Sequence, residues 1–521
     1  MKAKRQYLFN ALLMTAVTLL MRTVSVSFNI YVSNRVGAEA MGLISLVSGV
    51  YGFAVTLATS GIHLATVRRI AERMEQSGMA ETKTVLKACV RYALFFGSLA
   101  TLLLFVLARP IGLYVLREQR SVRALYLLSF TLLPIALTTV LNGYFTAVRR
   151  AWKNALSQVS EQTVKISLTI YLLVAIAPKT VEGCMLAILG GGAVAESFSL
   201  IFNLLLYLVD KSRRSEKGAR KYGNKVGVAE IALPVAISAY VRSGLLAIEH
   251  ILIPRGLLSF GAGNSEALAA YGSLQGMALP VVLYPAALLS SFSALLIPEV
   301  TEQQSGGNKL EIRYIAKRVY QLTLLFSLGA AGVMLSLSGE LGEVLYGSAE
   351  VAEFIGALAP LIPVMYLDTA TDAMLKGLGE QVYSMNVNII DALVSVLCVA
   401  LLVPRLGIYG YLITIYVTEI LNAALSVTRL LRITGFSPSV LQLVLRPLLA
   451  VIGATALNRL LFFALPALPV SGGVTLFLHV FCAVLLYLLF LILIGALGRA
   501  ERRWFFNFIK TPSKLQDEIP R

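Results

Sequence analysis

Residues 7–33 read YLFNALLMTAVTLLMRTVSVSFNIYVS, and Arg22 is the one charged side chain in this stretch. A hydrocarbon core about 30 Å thick needs about 20 apolar residues in an α-helix, so the stretch predicts a membrane span. It is too long for the apolar core of a cleavable signal peptide, and we expect it to stay in the mature protein. Because a cation at bilayer depth costs at least about 2.5 kcal/mol, we expect Arg22 to face a cavity or an anionic partner.

The rest of the chain repeats this pattern. Of its 521 residues, 57% are hydrophobic and 14% are charged, and the mean hydropathy is +0.77. This composition predicts an all-α integral membrane protein with about 14 transmembrane helices. The predicted spans are 7–33, 40–64, 86–108, 122–147, 156–177, 183–209, 231–253, 268–297, 319–338, 352–375, 382–403, 408–433, 441–465 and 471–497.

The basic residues predict the topology. Roughly 30 of the 45 Lys and Arg residues fall in loops on the side of the N-terminus. The positive-inside rule therefore places both termini in the cytoplasm of a multi-pass protein of the cytoplasmic membrane. One loop disagrees, because four arginines lie between the third and fourth spans, on the external side: Arg109, Arg117, Arg120 and Arg123.

The chain divides after six spans at a basic stretch, residues 211–225. Faint similarity between the halves supports this division: Arg22 corresponds to Arg242, and Glu196 to Glu419. The predicted domains are an N-lobe (1–210), a basic cytoplasmic linker (211–230), a C-lobe (231–435), helices 13 and 14 (436–497) and a cytoplasmic tail (498–521). Parallel six-helix repeats predict a binding site between lobes near the midplane, exposed alternately by rocking.

Arg22 and Arg242 are the first candidates for substrate binding. The guanidinium fork matches phosphate oxygens and stays charged, which predicts an anionic cargo; the alternative is that each arginine forms an intramolecular ion pair. Glu249 lies two helical turns after Arg242 and shares its face. Glu161 and Lys165, four residues apart, are predicted to pair with each other. The other intramembrane carboxylates are candidates for charge pairs or for binding a coupling cation: Glu196, Glu419, Asp368 and Asp391.

Several chemistries are not expected. The four cysteines and three histidines are scattered over the spans without C-x-x-C spacing, so we predict no disulfide, metal site or cofactor. The sequence has no G-x-x-x-x-G-K-[ST] phosphate loop, which argues against nucleotide hydrolysis by this chain. We expect a transporter rather than an enzyme, with no nucleic-acid partner.

Short motifs along most of the chain resemble the stage V sporulation protein B group. They are GAEAMGL (37–43), LATSG (57–61), EHILIPR (249–255) and GMALP (276–280). That group belongs to the polysaccharide-transporter branch of the multidrug/oligosaccharidyl-lipid/polysaccharide (MOP) flippase superfamily, which also contains the MurJ lipid II flippases.

The resemblance implies a flippase that moves an undecaprenyl-diphosphate-linked oligosaccharide or peptidoglycan precursor, in cell-wall or spore-cortex synthesis. It implies a V-shaped pair of six-helix lobes and a lipid groove at spans 13 and 14. Arg22 matches the first-helix arginine of the lipid II flippases, and Glu39 falls near their acidic residue at the start of helix two. The chain lacks the further arginines that those flippases carry in helices two and eight, so the resemblance does not define the headgroup.

Two other functions are considered. One is a cation-coupled multidrug exporter of the same superfamily, although that class usually has an acidic residue in its first helix. The other is a membrane scaffold without transport, which gives no reason to keep costly charges at midplane. The expected partners are a lipid-linked saccharide, membrane lipid and a coupling cation or proton.

Overall fold

The computed structural model describes residues 2–77, 82–176, 180–212, 227–287, 289, 300–436, 439, 441–464 and 472–496. All regular secondary structure in these ranges is helical. The predicted cytoplasmic tail and most of the predicted linker lie outside the described residues.

The described α-helices follow one another along the chain with short connections. They are α1 (Lys2–Thr59), α2 (Ile62–Ser77), α3 (Thr82–Pro110), α4 (Ser121–Ser129), α5 (Leu132–Ala147), α6 (Ala151–Tyr171), α7 (Val181–Ser212), α8 (Val228–Phe260), α9 (Asn264–Tyr271), α10 (Leu279–Val282), α11 (Lys309–Ser336), α12 (Ser338–Tyr346), α13 (Ala349–Leu358), α14 (Ile362–Gly377), α15 (Gln381–Leu406), α16 (Ile408–Thr434), α17 (Arg446–Ala464) and α18 (Gly472–Leu493).

Helix α1 contains two membrane spans. Its 58 residues would extend about 87 Å at 1.5 Å per residue, far more than the thickness of a bilayer. Gly37 interrupts the helix with φ 83° and ψ 170°, a conformation that favours glycine. Residues on both sides of the break contact the segment 272–284. The Thr23 hydroxyl lies 3.0 Å from that of Tyr284, and Gly42 packs against Gly272. The chain therefore reverses at Gly37.

The helices agree with the predicted membrane fold. Over the described residues, ten helices are long and apolar enough to cross a membrane, or up to eleven if α4 and α5, bent by 42°, form one span. That number counts α1 once. It also leaves out α6, whose 21 residues include Lys153, Glu161 and Lys165. The all-α membrane class is confirmed, and 14 spans are consistent with these helices.

The first of two compact units holds residues 1–295 and 381–422. In this unit α8 packs against the second half of α1 and against α15. Thr56 donates a hydrogen bond to Ser243 at 3.0 Å, which pairs α1 with α8. Glycines bring α1 close to the segment after α9: a Cβ on Gly272 would lie 2.0 Å from the carbonyl oxygen of Ala38. Such close approach of small residues is typical of helix packing in membranes.

The second unit holds residues 296–380 and 423–521. Here α11 packs against α14 and α17, and α17 packs against α18. Its core includes Leu325, Ala450 and Tyr487, and the Tyr487 hydroxyl donates a hydrogen bond to the Leu325 carbonyl oxygen at 2.8 Å. The lobes predicted from the internal repeat stay a prediction.

Candidate functional site

Arg22 lies on a polar face of the first half of α1. Successive residues turn by about 100°, so Thr18, Arg22 and Ser25 fall within about 60° of one another, whereas Leu20 lies on the opposite side. Leu20 is 58% exposed, as expected of a surface in contact with lipid. Ser25 accepts a hydrogen bond from Gln162 Nε2 at 3.3 Å, so the polar face is directed toward α6. Arg22 is exposed and forms no hydrogen bond or salt bridge with the described residues.

Arg242 has a similar environment on α8. Its side chain is exposed, and across the described ranges it has neither a salt bridge nor a hydrogen bond. Ile237 and Ile248, which are 60% and 46% exposed, lie more than about 100° away around the helix. Arg242 therefore lies away from Ile237, the most exposed apolar side chain of α8, although Leu246, which is 38% exposed, lies about 40° from Arg242.

The two arginines lie at similar depth in the first unit. Arg22 precedes the chain reversal at Gly37 by about 22 Å of helix. Thr56 follows the reversal by about 28 Å of helix, and it marks the depth of Arg242 because it hydrogen bonds with the next residue, Ser243. The difference in depth is therefore only about 6 Å. Two cations at similar depth, without an ionic partner among the described residues, form a candidate site for an anionic group.

Glu249 is buried among other polar groups of the first unit. It is 8% exposed, hydrogen bonds with Ser395 of α15 and lies within electrostatic range of Asp391, one turn away on α15. Tyr271 and Tyr411 also lie within electrostatic range of it. The structure thus brings two predicted site residues together, Glu249 and Asp391, as a carboxylate pair between α8 and α15.

Glu196 belongs to a second acidic group, between α6 and α7. Glu161 and Lys165 of α6 lie within electrostatic range of Glu196. Glu161 hydrogen bonds with Ser199. The predicted Glu161–Lys165 pair does not form a salt bridge, as neither residue has one among the described residues.

Glu39 takes part in an ion network at the end of the first unit where α1 reverses. We call Glu39, Glu118, Arg120, Asn264 and Ser265 the outer latch. Arg120 lies 2.8 Å from both Glu39 Oε1 and Glu118 Oε1. The Ser265 hydroxyl donates to Glu39 Oε2 at 2.6 Å, and the Asn264 amide donates to Glu118 Oε2 at 2.9 Å. The latch thus joins α1 to the start of α9 through the connection between α3 and α4.

The outer latch supplies carboxylate partners to Arg120, one of the arginines of the basic loop that disagreed with the topology rule. Burial raises the pKa of Glu118, but hydrogen bonds from Arg120 and Asn264 outweigh burial and hold that pKa below its usual range. The hydrogen bonds from Arg120 to Glu118 raise the pKa of Arg120 despite burial. Arg123 also has an acidic partner, Glu182, at 3.3 Å. Two of the four arginines of this loop therefore have carboxylate partners, and the side of the membrane that the loop faces stays a prediction.

The last two candidates are placed separately. Asp368 lies on α14 in the second unit, within electrostatic range of Tyr320, whose hydroxyl is 3.1 Å from that of Thr371. Glu419 is half-buried on α16 in the first unit.

Sequence reasoning missed Ser395 and the partners of Glu39. Ser395 follows Asp391 by one helical turn, a spacing that could have indicated a shared face. Nothing in the local sequence could have indicated that Arg120 contacts Glu39, because 81 positions separate them.

Comparison with known proteins matches two groups by sequence. Residues 8–254 match the family profile described as polysaccharide biosynthesis protein. The chain is 24% identical over 415 residues to stage V sporulation protein B of Bacillus subtilis (strain 168), covering 78% of this chain and 80% of that protein. It is 23% identical over 401 residues to lipid II flippase MurJ of the same organism, covering 71% and 72%.

Solved structures match over most of the chain. The inward closed conformation of lipid II flippase MurJ gives a TM-score of 0.70 at 11% identity, covering 93% of this chain and 99% of that one. An inward-facing multidrug resistance MATE transporter of the MOP superfamily gives a TM-score of 0.61 at 15% identity, covering 81% and 100%. At these identities the likeness shows the fold.

The chain is therefore a multi-pass membrane protein with the fold of MOP-superfamily transporters, and its class is transporter, not enzyme. Within that class, the resemblance to the stage V sporulation protein B group is confirmed.

Proposed function

We propose that the protein is a flippase that moves an undecaprenyl-diphosphate-linked oligosaccharide or a lipid II-like peptidoglycan precursor across the cytoplasmic membrane by alternating access. In this proposal it serves cell-wall or spore-cortex synthesis, with both termini in the cytoplasm. The name of one relative, lipid II flippase MurJ, supports this class of cargo, and the name of another, stage V sporulation protein B, supports a role in sporulation.

The main support is the pair of exposed arginines. An intramolecular ion pair would have explained Arg22 and Arg242 without a ligand, but the described residues offer neither of them such a partner. A diphosphate carries oxygens for two guanidinium forks at once. Two cations at similar depth in packed helices therefore suit a diphosphate-linked cargo.

The outer latch supports alternating access. With the predicted topology, the reversal at Gly37 lies on the external side, and so does the latch. Its bonds between α1 and α9 close the external end of the first unit. Opening toward the outer leaflet requires the Arg120 contacts to break, so the latch is a gate in this proposal.

The Glu249–Asp391 pair is the proposed site of a coupling cation. Two carboxylates held close in a low dielectric repel each other unless a proton or cation lies between them. The Ser395 hydroxyl supplies a further oxygen. The predicted lobes, 1–210 and 231–435, would rock against each other as this site fills and empties, with helices 13 and 14 (436–497) holding the lipid tail.

A cation-coupled multidrug exporter is the second candidate. The buried Glu249–Asp391 pair and the MATE-like fold suit that function as well. The exposed arginines favour the flippase, because a cationic drug would be repelled by them.

Complementation tests the proposal. Cells depleted of their own lipid II flippase would express the wild type, Arg22→Ala, Arg242→Ala or the control Arg123→Ala at equal membrane levels. Each lost charge-assisted contact is worth about 1.5–3 kcal/mol, so each site variant should reduce flipping about tenfold or more. Arg123 is 76% exposed at its side chain, and its variant should rescue like the wild type.

Three outcomes separate the functions. Rescue by the wild type and the control, but not by the site variants, supports the flippase. Rescue by all four proteins would show that the arginines do not bind cargo. Failure of well-inserted wild type, together with export of cationic dyes, would support the multidrug exporter instead.

A further inference from the structure

The contact between α6 and α7 carries a line of polar side chains that the arginine site does not use. On α6 these residues recur every four positions, and on α7 they recur at helical spacing, so each set lies along one face. They are Lys153, Ser157, Glu161 and Lys165 on α6, and Glu196, Ser199, Asn203 and Asp210 on α7. We call this set the α6–α7 seam.

Hydrogen bonds connect the middle of the seam. Asn203 Nδ2 donates to Ser157 Oγ at 2.6 Å and to the Ser199 carbonyl oxygen at 2.9 Å. Ser199 in turn hydrogen bonds with Glu161. At one end Asp210 pairs with two cations: Lys153 Nζ lies 2.8 Å from Asp210 Oδ1, and Arg150 forms a second salt bridge to the same oxygen. The polar contacts therefore run from a salt bridge to an acidic pair.

The acidic pair has an uncompensated charge. Glu161 and Glu196 are half-buried, and neither has a salt bridge in the described chain. Lys165 is the cation within electrostatic range of both. Two carboxylates and one ammonium sum to one negative charge, and an uncompensated ion in a low dielectric costs several kcal/mol. One proton bound by the pair removes that charge.

No other charged group in the described surroundings compensates the pair. Helix α5 and residues 172–176 contain no charged side chains. From α1, Tyr51 lies within electrostatic range of Glu196, with its hydroxyl 2.5 Å from that of Thr131. The polar face of α1 that carries Arg22 contacts α6, but Arg22 forms no salt bridge with either glutamate in the described chain. From α4, Arg123 is already paired with Glu182.

A second observation points to a ligand in the seam. Asn203 is fully buried, and although its Nδ2 is bonded, its Oδ1 has no hydrogen-bond donor among the described residues. A buried acceptor without a donor costs about 1–3 kcal/mol. A hydrogen-bond donor such as water, or a bound cation, would satisfy that oxygen. The seam thus contains an acceptor without a donor, Asn203 Oδ1, beside Ser199, whose hydroxyl contacts Glu161.

We propose that Glu161 and Glu196 bind one proton between them and that this proton is a coupling ion of the transport cycle. One proton neutralises the net negative charge of the pair and its lysine, and the labelling test below distinguishes a proton from Na⁺. The coupling role rests on the transport function proposed above, whereas the proton site does not. This site is distinct from the Glu249–Asp391 pair.

Carbodiimide labelling tests the proton site without any transport. Dicyclohexylcarbodiimide reacts with protonated carboxyl groups in apolar surroundings, and mass spectrometry locates the adduct. In the full-length protein in lipid nanodiscs, the label on Glu161 or Glu196 should fall about tenfold per pH unit on the alkaline side of the titration. Glu182, at the start of α7, is half-buried but is paired with Arg123, which favours its ionised form; it is the control and should stay unlabelled.

Two variants shift the charge balance in opposite directions. Glu161→Gln leaves Glu196 with Lys165, a neutral pair without a proton, so the label on Glu196 should fall at least tenfold. Lys165→Met leaves two carboxylates without a cation, so the label should rise and persist to higher pH. Three results would overturn the proton site. They are labelling that is the same in both variants as in the wild type, labelling that does not change with pH, and labelling that NaCl suppresses at constant pH.

Flipping of a fluorescent lipid-linked probe in proteoliposomes tests the coupling. An imposed pH gradient should change the rate severalfold in the wild type and in Glu182→Gln, and should have no effect in Glu161→Gln. If the flipping rate of the wild type does not change with the pH gradient, the coupling role is overturned. A wild type that does not flip the probe refutes the proposed function, and the labelling then decides the proton site by itself.

Discussion

Arg120 holds the outer latch together, and Arg120→Ala should destabilise the first unit strongly. Glu118, which is 7% exposed at its side chain, would lose its cation and keep only the Asn264 amide. Removing one partner of a buried pair costs about 3–5 kcal/mol. Because Arg120 is 28% exposed, we expect the lower end, about 3 kcal/mol.

Thermal unfolding in nanodiscs measures this effect. At roughly 2 °C per kcal/mol for a unit of this size, Arg120→Ala should lower the midpoint by about 6 °C. The matched control Arg123→Ala removes an exposed pair and should change stability by less than about 1 kcal/mol. Adding Glu118→Gln to Arg120→Ala should restore part of the loss, because no buried carboxylate is then left without a cation. Equal shifts for both arginine variants, or no rescue, would refute this account.

Three further outcomes are expected. A Cβ at Gly272 would lie 2.0 Å from a carbonyl oxygen of α1, so Gly272→Ala should cost about 3 kcal/mol in thermal unfolding, whereas Gly52→Ala, with open space, should be neutral or stabilising. The lowered pKa of Glu118 stabilises the fold above the usual glutamate value of about 4.3, and this contribution is lost as pH falls through the lowered pKa. Melting of Glu118→Gln should therefore depend less on acid pH than that of the wild type. Tyr487→Phe removes a hydrogen bond to Leu325 and should cost the second unit about 1 kcal/mol.

Controls make these outcomes decisive. If both glycine variants unfold alike, the close approach of α1 and the segment after α9 is wrong. A melting curve whose acid limb is identical in Glu118→Gln and the wild type would show that another group titrates. A Tyr487→Phe protein as stable as the wild type would show that the Leu325 carbonyl is satisfied in another way.

Much of the fold could be predicted from local sequence. An apolar stretch of about 20 residues specifies a membrane helix wherever it occurs, because every backbone group must be bonded within the segment when water is absent. The cost of an intramembrane charge depends on the same medium, which is why Arg22 and Arg242 could be selected before any contact was known. The predicted pairing of Glu161 with Lys165 shows the limit of spacing, since four residues place the two side chains on one face and within electrostatic range of each other, but they form no salt bridge in the described chain.

By itself, the sequence determined that the chain lies in a membrane, where its helices run and which charged side chains are costly there. Each of these follows from the free energy of transferring short segments from water into hydrocarbon. Only the tertiary structure decided which charges meet. Glu39 contacts Arg120 at 2.8 Å, although α2 and α3 lie between them along the chain, and Glu249 lies near Asp391, although α9 to α14 lie between those two. Helix packing sets such contacts through close approach at glycines such as Gly272, and no local pattern records which two helices will touch.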